Sequence, residues 1–273
     1  MFSVIIPAYN SEKTIETALD SLTRQTRSDW IKEVIVVDDG STDETAERVK
    51  KYQQRENEKK NGTGLFIKLI CQENAGPSSA RNTGMRQATA EYIAFLDADD
   101  EWQDEKLEKQ GEILKQYPQI DLLCGGLEEG ALRILKRKYD SLYHISLKDY
   151  CMKSIIFTST VVIRKACARK AGYFDENMRY CEDMNYYQRF FRWNQVYYLP
   201  EKLADYGKGR EYYGQSGLAA NLKEMHKGRR DNFGILRKEK QISTGFYILM
   251  VLFGEIKYIR RKWLTGREKK KVL

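Results

Sequence analysis

Three carboxylates fall within four residues at Asp97, Asp99 and Asp100, directly behind a short apolar run over 92–96. Like charges this close raise one another's pKa unless a cation sits among them. At the carboxyl end of a parallel strand, where open α/β sheets bind ligands, they form a hard oxygen site for Mg²⁺ or Mn²⁺. Asp38 and Asp39 follow a β-branched run over 34–37, and Glu182-Asp183 is a further adjacent pair. An acceptor hydroxyl is a poor nucleophile until a carboxylate removes its proton, so such a pair suits a general base. Simpler readings stand beside these: each acidic group could open a helix, where carboxylates are favoured, and Arg81 could be a surface cation.

The elements that must position these groups follow from the pattern of apolar residues. Runs over 2–6, 34–37, 67–71 and 92–96 read as buried strands, the first closed by Pro7. Between them, Ile15, Ala18, Leu19 and Leu22 share a helical face capped by Asn10 or Ser11, and Ser41 with Glu44 has the form of a capping box. The polar run over 53–64 reads as a solvated loop, and 73–84 leads into a helix ending at Gln87. Strands alternating with helices imply βαβ units, a parallel sheet, and all four polar strand ends on one edge. Tyr9, Asp39, Arg81 and Asp97 are thereby expected around one crevice. Further on, the pattern predicts a charged helix over 104–117, strands over 121–124, 132–135, 155–163 and 196–199, a short helix over 146–153, and a helix from Glu182.

Charge is divided along the chain. The net charge of +8 comes from residues 201–273, which carry about +10, whereas the first 200 carry about −2. Five scattered cysteines without a C-x-x-C pair signal neither a zinc site nor a disulfide framework, which fits a reducing cytoplasm. The amino terminus lacks the pattern of a signal peptide, and no apolar run reaches the ~18–20 residues that span a bilayer. His144 and His226 stand alone and read as structural. Tyr186, Tyr187, Tyr197, Tyr198, Tyr206, Tyr212 and Tyr213 could include sugar-stacking faces, although most are expected to be ordinary core or surface rings.

The strings VIIPAYN, VIVVDDGSTDET, ENAGPSSARNTG, YIAFLDADD and CEDMNYYQRF occur in an order and spacing that resembles family 2 inverting glycosyltransferases of non-processive bacterial type. The resemblance covers residues 2 to about 200. It implies an α/β chain of GT-A fold: a Rossmann-like nucleotide-binding βαβ half (1–100) fused to a mixed-sheet acceptor half (101–210), with a basic helical extension (211–273). It further implies a nucleoside diphosphate sugar donor, with UDP favoured, and Mn²⁺ or Mg²⁺ as cofactor. Asp39 would accept a base N–H, Pro7, Ala8 and Tyr9 would wall the base, and Arg81 would approach ribose or phosphates. Asp99 would ligate the metal, and Asp97 would contact ribose or a metal-bound water. Asp183 would be the base, with Glu182 binding acceptor or orienting the site. The string from Arg189 to Trp193 matches the R-x-x-R-W of processive synthases but lies too close behind Glu182-Asp183, so it reads as helix packing with exposed arginines. Transfer of one sugar to a glycan or lipid-linked hydroxyl is expected.

Rival readings are weaker. No G-x-G-x-x-G turn follows the first strand, which disfavours a dehydrogenase, and no Gly-rich phosphate loop supports a nucleotidyltransferase. Hydrolysis by paired carboxylates leaves Asp39 without a purpose. A non-catalytic nucleotide-sugar-binding scaffold would not need Asp97, Asp99 and Asp183 together, and no nucleic-acid module occurs. Finally, the apolar run over 245–253 lies between basic clusters, the combination an interfacial helix needs on an anionic membrane. Packing of that run on the catalytic domain or a second subunit is the alternative. The expected location is cytoplasmic, peripheral on the inner membrane face.

Overall fold

A computed structural model describes residues 1–59, 64–193, 195–207 and 220–271, with side chains through Leu264. The chain opens with β1 (Phe2–Ala8), α1 (Ile15–Thr23), β2 (Ile31–Asp38), α2 (Thr45–Asn57), β3 (Ile67–Cys71), α3 (Pro77–Gln87) and β4 (Tyr92–Phe95). Strands β1–β4 pair in parallel in the order β3-β2-β1-β4, as the alternation of strand and helix requires. After β4 come β5 (Glu101–Trp102), α4 (Lys106–Gln116), β6 (Leu122–Gly126), β7 (Leu132–Ile134), β8 (Arg137–Tyr139), β9 (Tyr143–His144) and α5 (Leu147–Met152). The remainder is β10 (Val162–Arg164), α6 (Lys165–Ala171), α7 (Glu182–Gln188), β11 (Val196–Lys202), β12 (Ala204–Asp205), α8 (Leu222–Lys238) and α9 (Thr244–Lys271). Antiparallel β10 joins β4 to β6, and with β11 and β9 completes a mixed eight-stranded sheet.

Alternate side chains of β1 and β2 face opposite sides of the sheet and found two cores. Ile5, Ile35, Val37 and Phe95 pack with α3 and α7; Val4, Ile6, Val34 and Val36 pack with α1, α2 and α4. Gly84 lets α3 lie close on β1, because a Cβ there would fall 2.4 Å from the Ile5 side chain.

Several local expectations are corrected. Pro7 lies inside β1 rather than closing it; the β4 ladder ends at Ile5, so the missing N–H costs no pairing there. The capping box at Ser41 does not form. Asp43 Oδ1 accepts instead from the Thr45 N–H at 3.0 Å, one turn later than expected. Likewise α1 starts behind Thr14, with the Ser11 carbonyl accepting from the Thr14 and Ile15 N–H groups. Helix α2 runs through Asn57, where a solvated loop was expected, because Glu56 turns inward to Lys59 and the Leu65 N–H; residues 60–63 of that loop lie outside the described residues. The strand expected over 155–163 shrinks to Val162–Arg164 behind a 3-10 turn at Thr158–Thr160. The cause is local competition: Thr160 Oγ1 donates to the Phe157 carbonyl at 2.8 Å, a bond that folds the backbone away from a ladder. Arg189, expected to be exposed, is half-buried and donates to the carbonyls of Ala171 and Tyr173.

The C-terminal helices share the first core through Phe233, Leu236, Ile242 and Met250. Asn232, fully buried, donates to the Cys181 carbonyl at 2.9 Å and accepts from Asn185 at 3.0 Å. Gly228 brings α8 against the backbone before α7, since a Cβ there would meet the Tyr180 carbonyl at 2.7 Å. The apolar run over 245–253 divides by face: Phe246, Met250 and Phe253 turn to the core, while Ile248, Leu249 and Leu252 are exposed. Among the described residues, no helix is long and apolar enough to cross a membrane.

Candidate functional site

The loops behind β1, β2, β3 and β4 meet around one cleft of about 1190 Å³. Pro7, Ala8, Tyr9, Asp39, Arg81, Asp97 and Asp99 all line it, so the shared sheet edge brings these sequence-predicted residues together. Residues 176–180 complete the lining.

The loops are fastened to one another. Asn10 donates its N–H to Ser41 Oγ at 2.9 Å, and its side chain accepts from the Thr42 N–H at 2.8 Å. Buried Asp39 accepts from Gln72 Nε2 at 2.7 Å, the Ala75 N–H at 3.0 Å and the Gly76 N–H at 2.7 Å. The Asp39 carboxylate therefore shapes the loop over 72–76, and an ionised carboxylate retains capacity for a further donor. Gly76 takes φ 90°, a conformation that favours glycine, at the turn into α3.

Arg81 projects from α3, buried, and bridges two acidic groups. One guanidinium nitrogen lies 2.9 Å from Asp97 Oδ1 and another 3.2 Å from Glu182 Oε1. Expected near ribose or phosphate, Arg81 here joins the turn behind β4 to the start of α7. Asp97 and Asp99 are half-buried on the cleft, but Asp100 turns away from it. Asp100 accepts from Ser159 Oγ at 2.5 Å and the Gly207 N–H at 2.9 Å. The third carboxylate of the expected oxygen site is thus structural, and burial pushes its pKa up to about 7. Among the described residues, no three His, Cys, Asp or Glu side chains gather to hold a metal. Two carboxylates on an open cleft nevertheless fit Mg²⁺ or Mn²⁺, which takes one or two protein carboxylates and completes its shell with substrate phosphates and water.

Glu182 and Asp183 open α7 behind Cys181, which holds φ 57° in the left-handed region. Such a residue is strained unless its surroundings fix it, and here the Cys181 carbonyl is bound by Asn232. Burial, and then the charge of Asp183, push Glu182 up to about 7 against the opposing Arg81. Burial also raises Asp183, offset in part by the Met184 N–H, which donates to its Oδ1 at 2.7 Å. Asp183 does not line the main cleft, but the charges of Arg81 and Asp97 act on it directly.

Sequence reasoning missed Gln72, Asn74, Lys13 and Arg179 on or beside the cleft, and Ser159 beneath it. The glycine at 76 before Pro77 was the available signal for a shaped loop. Of the tyrosines considered for stacking, Tyr186, Tyr187 and Tyr198 are buried, Tyr197 and Tyr206 are half-buried, and Tyr212 and Tyr213 lie outside the described residues. His226 bonds Glu255 at 2.9 Å and stacks on Tyr258 between α8 and α9.

A parallel βαβ half with acidic strand ends, continued by an antiparallel strand into a mixed sheet, defines an α/β architecture of GT-A type. The chain belongs to glycosyl transferase family 2, whose profile matches residues 3–177. An uncharacterised glycosyltransferase of Rickettsia prowazekii is 30% identical over 217 residues, covering 74% of this chain and 62% of that protein. The amylovoran biosynthesis glycosyltransferase AmsB of Erwinia amylovora is 33% identical over 199 residues, covering 68% and 61%. The chain therefore spans less than two thirds of either relative. Among solved structures, S. aureus TarS 1–349 in complex with UDP-GlcNAc superposes with TM-score 0.67 at 24% identity, covering 92% of this chain and 70% of that one. The mannosyltransferase PcManGT from Pyrobaculum calidifontis, in complex with GDP-Man and Mn²⁺, gives TM-score 0.67 at 19% identity, covering 94% and 69%. At these identities the likeness concerns the fold.

Proposed function

We propose that this chain is an inverting glycosyltransferase that moves one sugar from a nucleoside diphosphate sugar, preferentially a UDP-sugar, to a hydroxyl of a glycan or lipid-linked acceptor in cell-surface polysaccharide synthesis. The observation that carries the reading is the Arg81 bridge, which ties the Asp97 turn to Glu182 within one constellation. TarS, crystallised with UDP-GlcNAc, and AmsB, named for amylovoran biosynthesis, support the donor and pathway class.

In this reading residues 1–210 form the transferase unit and 211–273 an extension. Pro7, Ala8 and Tyr9 wall the base and Asp39 accepts its N–H, while Asp97 contacts the ribose or a metal-bound water. Asp99, with Asp97 beside it, holds Mn²⁺ or Mg²⁺; the Mn²⁺ in the mannosyltransferase complex supports that choice. The cation, when bound, neutralises charge gathering on the departing diphosphate. Asp183 takes the proton of the acceptor hydroxyl as that oxygen attacks the anomeric carbon, so an α-linked donor gives a β-linked product. Glu182, held by Arg81, orients the base. Calorimetry with UDP tests the assignment: binding should strengthen with Mn²⁺ and fail in Asp99→Ala, and metal-independent binding untouched by that change would overturn it.

The enzyme works on the cytoplasmic face of an anionic membrane. Supporting this, Ile248, Leu252, Ile256, Ile259 and Trp263 recur at helical spacing as an exposed apolar stripe along α9, beside exposed Arg260 and Lys262. The basic residues at 267–271 lie where side chains are outside the described residues. Vesicles rich in anionic lipid should sediment the protein, less so at high salt. Leu252→Glu with Ile256→Glu should leave it in the supernatant, and equal sedimentation of both proteins would count against the surface.

A further inference from the structure

A second cavity, of about 460 Å³, shares no lining residue with the strand-end cleft. Its apolar floor includes Ile134, Phe157 and Tyr198, whereas four cations stand on its walls. Lys153 follows α5, Arg229 comes from α8, and Lys257 and Arg261 sit one helical turn apart on α9. The two acidic residues on the lining, Glu128 and Glu129, are exposed.

Two of the four cations are pinned by carbonyl groups. Lys257 Nζ donates to the Met152 carbonyl at 3.0 Å, and Lys153 Nζ donates to the Arg133 carbonyl at 3.1 Å. Among the described residues no carboxylate bridges Arg229, Lys153 or Lys257. Burial, with Arg229, Arg261 and Lys153 nearby, pushes Lys257 down to about 8. Like charges collected in a half-buried site repel, and a polyanion entering the site would turn that cost into attraction. Arg229 also acts on the base: its charge opposes the rise in the Asp183 pKa.

We propose that this cavity binds a phosphate-ester or diphosphate-ester group of the acceptor, with Arg229 linking that group to the region of Asp183. The proposal rests on the transferase reading and adds the chemical class of acceptor. Guanidinium forks and ammonium groups suit phosphate oxygens, and the apolar floor suits the carbon chain or sugar ring beside them. Such an ester could belong to a lipid diphosphate or to a phosphodiester-linked polymer. Both present the same anion.

The test is calorimetry on the full chain with Mg²⁺ and saturating UDP, so that the nucleotide site is filled. One arm titrates geranyl diphosphate, and the other a short glycerol-phosphate oligomer. At least one should bind, and Lys153→Met with Lys257→Met should weaken it about tenfold or more while UDP affinity stays unchanged. Lys257→Arg should retain binding, which separates lost charge from lost fold. Binding of the diphosphate alone assigns a lipid source, and binding of the oligomer alone assigns a polymer. Binding of neither probe, or equal binding to wild type and the double variant, overturns the proposal. The UDP titration reads the donor site separately, so failure of the cavity leaves the transferase reading intact, and the converse.

Discussion

The strand-end cleft and the α9 cavity carry opposite charge. Glu12, Asp39, Asp43, Asp97, Asp99 and Glu176 outnumber Lys13, Arg81 and Arg179 around the first. Lys153, Arg229, Lys257 and Arg261 outnumber Glu128 and Glu129 around the second. A phosphorylated ligand would meet these surfaces on different terms. At the acidic cleft a divalent cation would offset the repulsion between carboxylates and a bare diphosphate. At the basic cavity the protein supplies the positive charge itself. Under the proposed assignments two sites for similar anions can therefore stay distinct: the first would take its anion with metal, the second without it.

Breaking the connection between the two regions should have the largest effect. Asp183→Asn should reduce turnover by about 10²-fold or more, the usual scale for a positioned base, with UDP affinity unchanged by calorimetry. Metal removal sharpens the contrast next. Chelation should weaken UDP binding by about tenfold or more and leave geranyl diphosphate or oligomer binding at the cavity in place. Loss of both on chelation would erase the distinction.

A structural change at the seam comes third. Gly228→Val places carbon against the Tyr180 carbonyl, 2.7 Å from an ideal Cβ, so overpacking should cost about 1–3 kcal/mol. Differential scanning calorimetry should show a lower Tm, and kcat should fall more than UDP affinity because the displaced turn leads into Glu182. The smallest expected effect is in the titration of Glu182. Its pKa rises from the ordinary 4.5 to about 7 through burial and Asp183, so in Asp183→Asn its carboxyl signal should titrate at lower pH by NMR. The native state keeps a proton that the unfolded chain has released across that window. This stability contribution is therefore lost as pH rises through about 7, and urea melts from about pH 5 to about pH 8 should show a shallower decline in Glu182→Gln.

Much of the first sheet was legible because local signals agreed. The third strand appears over 67–71 and the third helix ends at Gln87, both as expected, since an apolar run marks the strand and the Gly76-Pro77 junction opens the helix. The run over 155–163 misled because its hydroxyl residues look β-prone, yet Ser159 bonds Asp100 and the Asp97 N–H instead of extending a ladder. At the site, residue types and strand ends were readable and partners were not. Arg81 reaches Asp97 and Glu182 across 16 and 101 positions, a choice made by packing of α3 and α7 rather than by neighbours in sequence. The basic tail was visible as charge, but its division into an inward cationic face and an outward apolar stripe depends on how α9 lies against α5 and α8.

The close seat of Gly228 under Tyr180 bears on how this protein can be recombined with its relatives. The family match ends at residue 177, and a splice made there keeps the turn over 180–181 with the helix that supports it, whereas one made after residue 185 and before α8 would separate them. Asn232 and Gly228 serve as a matched fitting for the left-handed residue before the acidic pair. An exchangeable C-terminal module consequently begins before Tyr180: grafted C-terminal helices would have to travel together with the 180–185 backbone on which they close.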